Sequence, residues 1–188
     1  EREIFYHSEN GILGVGPVAQ PGQEDPELVD AGSQMVTLRD GASIFDSAAS
    51  FAMIRGGHLD ITILGGYQVA ANGDLANWDA LSPDKGPLIG GAMDLAMGAK
   101  AVHIIMRHTT RGGEARLVSE CSYPLTVRGR VNRVYTDLAV VDIDQGRLVV
   151  REVIPGLDRD ELAAATDAPL TFAPDCRELI APDLDDGS

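Results

Sequence analysis

Little in this 188-residue chain invites redox or metal chemistry, because it holds two cysteines, Cys121 and Cys176, far apart and without CxxC spacing. They supply neither a disulfide framework nor a thiolate metal site, and they point to a reducing compartment, the cytoplasm. The four histidines, His7, His58, His103 and His108, lack metal-ligand spacing, so no metal is expected. His103, inside an aliphatic run, reads as a core or edge histidine. Basic residues are scarce, 15 Lys and Arg against 29 Asp and Glu, and the net charge of −14 excludes a nucleic-acid partner. Long apolar runs are missing too. None approaches the roughly 18 residues of a membrane helix, and no signal-peptide pattern opens the chain.

What is present is an ordinary globular composition, 44% hydrophobic with 21 Gly. A chain of this length buries roughly 70% of its unfolded surface, and we expect one domain over residues 1–181 with an acidic tail at 182–188. Strand-like runs recur at residues 4–7, 35–38, 59–64, 102–106, 138–143 and 148–150. Several are continuously aliphatic, as for strands buried on both faces of a parallel sheet. Helices are expected after Asp46 (residues 47–54), after Gly90-Gly91 (residues 92–97, stopped by Gly98), and after Asp158, whose spacing to Glu161 is that of a capping box. Asp144-Gln145-Gly146 between two aliphatic runs predicts a hairpin, so part of the sheet is antiparallel. The expected fold is α/β, an open, mostly parallel sheet flanked by helices.

One stretch stands out, Ser8-Glu9-Asn10-Gly11 running into Ile12-Leu13-Gly14-Val15-Gly16-Pro17. A short strand delivers a carboxylate to a glycine-dense turn, where backbone approaches a ligand closely. A lone Glu in a turn is more often solvated or capping. The glycine spacing G-x-x-G-x-G does not match the dinucleotide fingerprint G-x-G-x-x-G. Further motifs follow in order: residues 50–60 (Ser-Phe-Ala-Met-Ile-Arg-Gly-Gly-His-Leu-Asp), 73–78 (Gly-Asp-Leu-Ala-Asn-Trp), 90–95 (Gly-Gly-Ala-Met-Asp-Leu) and 123–126 (Tyr-Pro-Leu-Thr).

Together these segments resemble the beta subunit of family I CoA-transferases over nearly the whole chain. The resemblance implies the CoA-transferase and ribose-5-phosphate-isomerase-like fold, with Glu9 as the nucleophile that carries the acyl group and then CoA. It implies that the backbone amide of Gly91, second glycine of Gly-Gly-Ala-Met-Asp, is an oxyanion donor. A further donor in the family is an asparagine of the alpha subunit, so an alpha partner is expected, in an α2β2 assembly. CoA is itself the substrate and no separate cofactor is expected. Asn10, Gly11, Gly90, Arg55 and Asn77 are expected near substrate or CoA. Arg55 and His58 either bind a substrate carboxylate or fix the turn before Leu59. Asn77 and Trp78 either line the CoA channel or belong to the core.

CoA is polyanionic, so on an acidic chain its phosphates need a local basic cluster. Arg107, His108, Arg111, Arg116, Arg128, Arg130 and Arg133 crowd one stretch and can supply it, or they pair with the surplus acids. Residues 22–32, 69–78 and 134–138 look like the 3-oxoadipate type, with succinyl-CoA as donor, and the 3-oxoacid (acetoacetate) type is the alternative. Many relatives carry Lys after the Ala-Gly pair where this chain has Ser33. Family members also carry an upstream segment with a strand and Gly-rich turn, and we read this chain as truncated or processed. A sugar-phosphate isomerase or a ligand-sensing domain of similar fold is the remoter alternative.

Overall fold

The computed structural model describes residues 3–81, 86–88 and 90–180. The tail expected at 182–188 lies outside the described residues. The chain divides into two compact units, Glu1–His58 and Leu59–Ser188.

The first unit is a three-stranded antiparallel sheet, β1 (His7–Ser8), β2 (Ile12–Val18) and β3 (Val36–Ile44), followed by α1 (Ser47–Arg55). Of the predicted run at 4–7 only His7 pairs as strand, with Ser8 extending it, although the Tyr6 carbonyl still accepts from the Gly14 and Val15 amides. β3 continues well past the predicted end at Leu38. Arg39-Asp40-Gly41 carries no strand signal, and pairing with β2 recruits it across a bulged register. α1 begins as expected, with the Asp46 carboxylate accepting the Ala49 amide at 2.8 Å.

The second unit contains β4 (Ile61–Gly65), β5 (Gln68–Ala70), β6 (Leu75–Ala76), α2 (Ala92–Gly98), β7 (Ala101–Ile105) and β8 (Leu117–Val118). It continues with β9 (Val131–Tyr135), β10 (Ala139–Asp144), β11 (Arg147–Val153), α3 (Arg159–Ala164) and β12 (Leu170–Glu178). Six strands form one sheet in the order β12-β11-β10-β9-β7-β4, and β6-β5-β8 form a smaller one. Within the large sheet β4/β7, β7/β9 and β11/β12 are parallel, while β9/β10 and β10/β11 are antiparallel. This is the expected α/β sheet, largely parallel with an antiparallel part. The β10–β11 hairpin turns at Gln145 and Gly146, both at positive φ (48° and 78°), the pattern of a twist-compatible two-residue loop. α3 starts on the full capping box of Asp158 and Glu161.

One expectation is corrected. The aliphatic runs are not buried on both faces throughout: Thr62, Val102 and Ile104 are buried, but Ile61, Ile63 and Ile105 are 53%, 60% and 57% exposed. β4 is an edge strand, and strict alternation leaves one face of β4 and β7 open. The other face packs Leu75, Val102, Ile104, Val134, Val141, Val150 and Leu162 into the main core.

Candidate active site

Ser8 pairs with Ile12, so Glu9, Asn10 and Gly11 form a three-residue hairpin loop closed by the Gly11 amide donating to the Ser8 carbonyl at 3.0 Å. Gly11 is obligatory here. Its φ is +124°, and a Cβ would lie 2.1 Å from the Phe45 carbonyl oxygen. Asn10 donates through Nδ2 to the Val29 carbonyl at 2.7 Å, tying the loop tip to the long excursion before β3. Glu9 is half-buried at the first loop position, and the neighbouring Ser8 is buried with a hydroxyl that has no hydrogen-bond partner among the described residues. Beside them the His7 ring meets the Ser50 hydroxyl at 2.9 Å. Burial lowers the His7 pKa, and the Glu9 charge pulls the other way. The loop thus fixes a carboxylate next to a ring that prefers to be neutral.

Arg55 closes α1 with its guanidinium 6.0 Å from the centre of the Phe51 ring. His58 follows the α1 cap, its ring packed close to Gly56.

In the second unit, Gly91 is the N-cap of α2 and contributes no side-chain cap, while its carbonyl accepts the Leu95 amide. Gly90 is exposed just before it. Asn77 is held on both sides of its amide: Nδ2 donates to the Gly65 carbonyl at 3.0 Å and Oδ1 accepts from the Thr126 hydroxyl at 2.6 Å. Trp78 donates its indole N–H to the Leu125 carbonyl at 3.2 Å. Asn77 thus ties the end of β4 to Thr126 while Trp78 reaches Leu125, so two of the sequence motifs meet in space.

The basic cluster separates into different roles. Arg130 caps the C-terminus of α2, donating to the Ala96, Met97 and Ala99 carbonyls. Arg133 and Arg151 both bond Asp142; burial alone would raise that carboxyl's pKa, and the two guanidinium groups hold it below its ordinary value. Arg107 pairs loosely with Asp137 at 3.7 Å. His108 is buried between Thr136 and Thr166. Its Nε2 lies 2.9 Å from the Thr166 hydroxyl and its Nδ1 3.0 Å from the Thr136 hydroxyl, and those hydroxyls donate to the Leu162 and Ala139 carbonyls. Burial lowers the His108 pKa, with Asp137 acting in the opposite sense. Arg116 differs from all of these, because its Nε is buried without a partner among the described residues. No group of three or more metal-ligating side chains is found among the described residues.

A sequence model of the family described as Coenzyme A transferase matches residues 1–165. The chain belongs to the coenzyme A transferase family. This CoA-transferase chain is 51% identical over 170 residues to the B subunit of the 3-oxoadipate CoA-transferase of Pseudomonas putida, covering 90% of this chain and 80% of that protein. It is 48% identical over 166 residues to the B subunit of the probable succinyl-CoA:3-ketoacid coenzyme A transferase of Bacillus subtilis, covering 88% and 76%. Among solved structures, the apoenzyme of an acyl-CoA transferase from Escherichia coli O157:H7 matches with a TM-score of 0.70 at 19% identity, over 92% of this chain. The chain spans 34% of that protein's length, and the likeness there concerns the fold. No described helix is long and apolar enough to cross a membrane.

Proposed function

We propose that this chain is the catalytic beta subunit of a CoA-transferase that moves CoA from succinyl-CoA to 3-oxoadipate through a thioester on Glu9. The observation that carries the proposal is the hairpin loop: a half-buried carboxylate held at a defined position by a glycine that no other residue replaces. Identity of 51% to the B subunit of a 3-oxoadipate CoA-transferase supports the choice of acids.

The Glu9 carboxylate attacks the thioester carbonyl of succinyl-CoA, forming a mixed anhydride and expelling the CoA thiolate. The thiolate attacks the Glu9 carbonyl and releases succinate, leaving a glutamyl-CoA thioester. The carboxylate of 3-oxoadipate then attacks that thioester, and the thiolate, freed once more, takes the 3-oxoadipyl group and regenerates Glu9. Covalent catalysis here splits one transfer into exchanges between groups of similar reactivity. Each tetrahedral stage places negative charge on oxygen, which the Gly91 amide meets. A missing donor of this kind typically lowers the rate by about 10²–10³. Asn10 and Gly11 hold the loop, Gly90 leaves space beside Gly91, and Arg55 and Asn77 stand as substrate-side residues. An alpha subunit completes the enzyme, in an α2β2 assembly. That the Pseudomonas putida relative is itself one subunit of its enzyme supports the partner.

A second reading, transfer to a 3-oxoacid such as acetoacetate, is favoured by the 48% identity to the Bacillus subtilis protein. The test of both is borohydride trapping. The chain, its partner subunit and succinyl-CoA are mixed and reduced, and the peptides are mapped by mass spectrometry. CoA-dependent conversion of the Glu9 carboxyl to an alcohol is expected. An unmodified Glu9 in the confirmed complex overturns the mechanism, and turnover with each acid decides between the two acceptors.

A further inference from the structure

Tyr67, Ala80, Gly86, Thr110, Arg116 and Tyr123 line a cavity of about 160 Å³, and all of them belong to the second unit. Tyr67 lies just past the C-terminal end of β4, and Thr110 and Arg116 lie in the segment leaving β7, the strand parallel to β4. In open α/β sheets the carboxyl ends of the parallel strands are where ligands bind.

Hydrogen bonds hold the walls. The Tyr67 amide donates to the Ala76 carbonyl at 2.9 Å. The Arg116 amide donates to the His108 carbonyl at 3.0 Å, and the Arg116 carbonyl accepts the Val69 amide at 2.9 Å. The Gln68 side-chain carbonyl accepts from the amides of Ser122 and Tyr123, at 2.8 and 3.3 Å. That clamp sets Tyr123 against Tyr67, edge-on, with 6.4 Å between ring centres at 80°. Thr110 donates its hydroxyl to the Glu114 carboxylate, so it contributes wall and not a free donor. Walls fixed in this way spare a ligand the cost of ordering them.

Arg116 is the unsatisfied group. Its Nε is buried with no hydrogen-bond partner, and the guanidinium enters no ion pair among the described residues. Arg107, Arg130 and Arg133 in the same stretch all have partners. A buried charged donor left unpaired is unfavourable, and such a group in a folded protein calls for a partner from outside the chain. Water would satisfy the N–H and leave the charge uncompensated, whereas an anion answers both needs. A guanidinium fork matches a carboxylate in two parallel hydrogen bonds. The two tyrosine rings and Ala80 offer apolar surface, which suits aliphatic carbon rather than the oxygens of a phosphate. The volume equals the share of about five waters in the liquid. Sites for drug-sized ligands need about 300–1,000 Å³, so this cavity takes an acid of a few carbons.

We propose that Arg116, walled by Tyr67 and Tyr123, forms a binding site of the second unit for a short aliphatic carboxylate, the guanidinium on the carboxylate and the rings against its methylenes. Binding there needs neither Glu9 nor CoA, so the site goes beyond the transfer reaction and stands or falls apart from it.

Butanoate is the probe, and its binding to the full chain is titrated by saturation-transfer NMR. Arg116→Gln is expected to weaken binding at least about tenfold, as for loss of a charged hydrogen-bond partner. Arg116→Lys should fall between the two, and Glu9→Gln should bind as wild type does. Butanamide, close to butanoate in shape but uncharged, should bind at least about tenfold more weakly. Acetate should bind about tenfold more weakly, because two methylenes leave the rings. No binding by wild type, equal binding by Arg116→Gln, or loss of binding in Glu9→Gln overturns the site. Inorganic phosphate that displaces butanoate at equal concentration overturns the assignment to a carboxylic acid, and equal binding of acetate overturns the role of the rings. Should Arg116→Gln fail to fold by circular dichroism, Arg116→Lys and the butanamide comparison on wild type decide, and butanamide binding as tightly as butanoate overturns the site. Butanoate binding that survives a failed borohydride trap on Glu9 refutes the transfer reading and leaves this site standing.

Discussion

In residues 1–58 the described hydrophobic residues that are buried are Ile12, Val36 and Ile54, while Ile4, Phe5, Tyr6, Leu13, Val18, Met35, Leu38 and Ile44 are exposed. In residues 59–188 the buried set runs from Val69 to Ala173 and closes around β7, β9, β10 and β11. The first unit is therefore held mainly by its strand ladder, by Asx and hydroxyl contacts and by glycine geometry; the second is held by a packed core. The contrast separates two demands on one chain. Glu9 is placed by backbone conformation, which fixes an angle without much buried area, whereas Asn77 is held by hydrogen bonds between segments that the packed core of the second unit positions.

The sharpest test of this separation is Glu9→Gln. With the partner subunit present, CoA transfer is expected to fall by at least about 10⁴, as when a covalent nucleophile is removed, while circular dichroism and the thermal midpoint stay close to wild type. A large loss of stability would show that Glu9 helps to hold its unit together.

The core contrast is tested next. Leu75→Ala, at a fully buried position, is expected to lower the unfolding free energy by about 2–5 kcal/mol in urea. Leu38→Ala, 36% exposed on β3, should lower it by less than about 1 kcal/mol. Similar losses at both positions would refute the difference between the units.

Gly11→Ala comes third. The strained φ alone is worth about 1–3 kcal/mol, and the contact with Phe45 adds to it. The expected outcome is loss of turnover with only partial loss of stability, read by activity beside circular dichroism. Normal turnover would mean that the loop does not set the carboxylate.

The smallest effect is on pH. His7, His103 and His108 all have folded-state pKa values lowered, first by burial. The unfolded chain, with His near 6.5, then binds more protons than the folded one, so the stabilisation is fully present above about pH 6.5 and declines as pH falls below it. Urea unfolding at pH 7 and pH 5.5 should show the decline, and His108→Asn should flatten it. An unchanged slope would show that His108 is not kept neutral by its site.

Much of this was legible in the sequence wherever the signal is local. The caps at Asp46 and Asp158 and the turn at Gln145-Gly146 formed as expected, because each depends on side chains within a few residues. The strands at 131–135 and 170–178 carry no comparable signal. β12 holds Pro174, Asp175 and Arg177, pairs in parallel with β11 across a register shift, and exists through partners far away in the chain. The same holds for the arginines. Crowding in sequence says nothing of which partner each one finds, since Arg130 finds helix carbonyls, Arg133 finds Asp142 and Arg107 finds Asp137.

The hairpin between β1 and β2 has a bearing on how such a chain can vary. Side chains alternate across the ladder, so inserting or deleting one residue between Ser8 and Ile12 would turn Ile12 outward and Leu13 inward. The carboxylate's address is thus counted in residues as well as written in them. Drift can exchange letters at Asn10 within limits, but the length of that loop is a fixed measure, and lineages that alter it must rebuild the strand behind it.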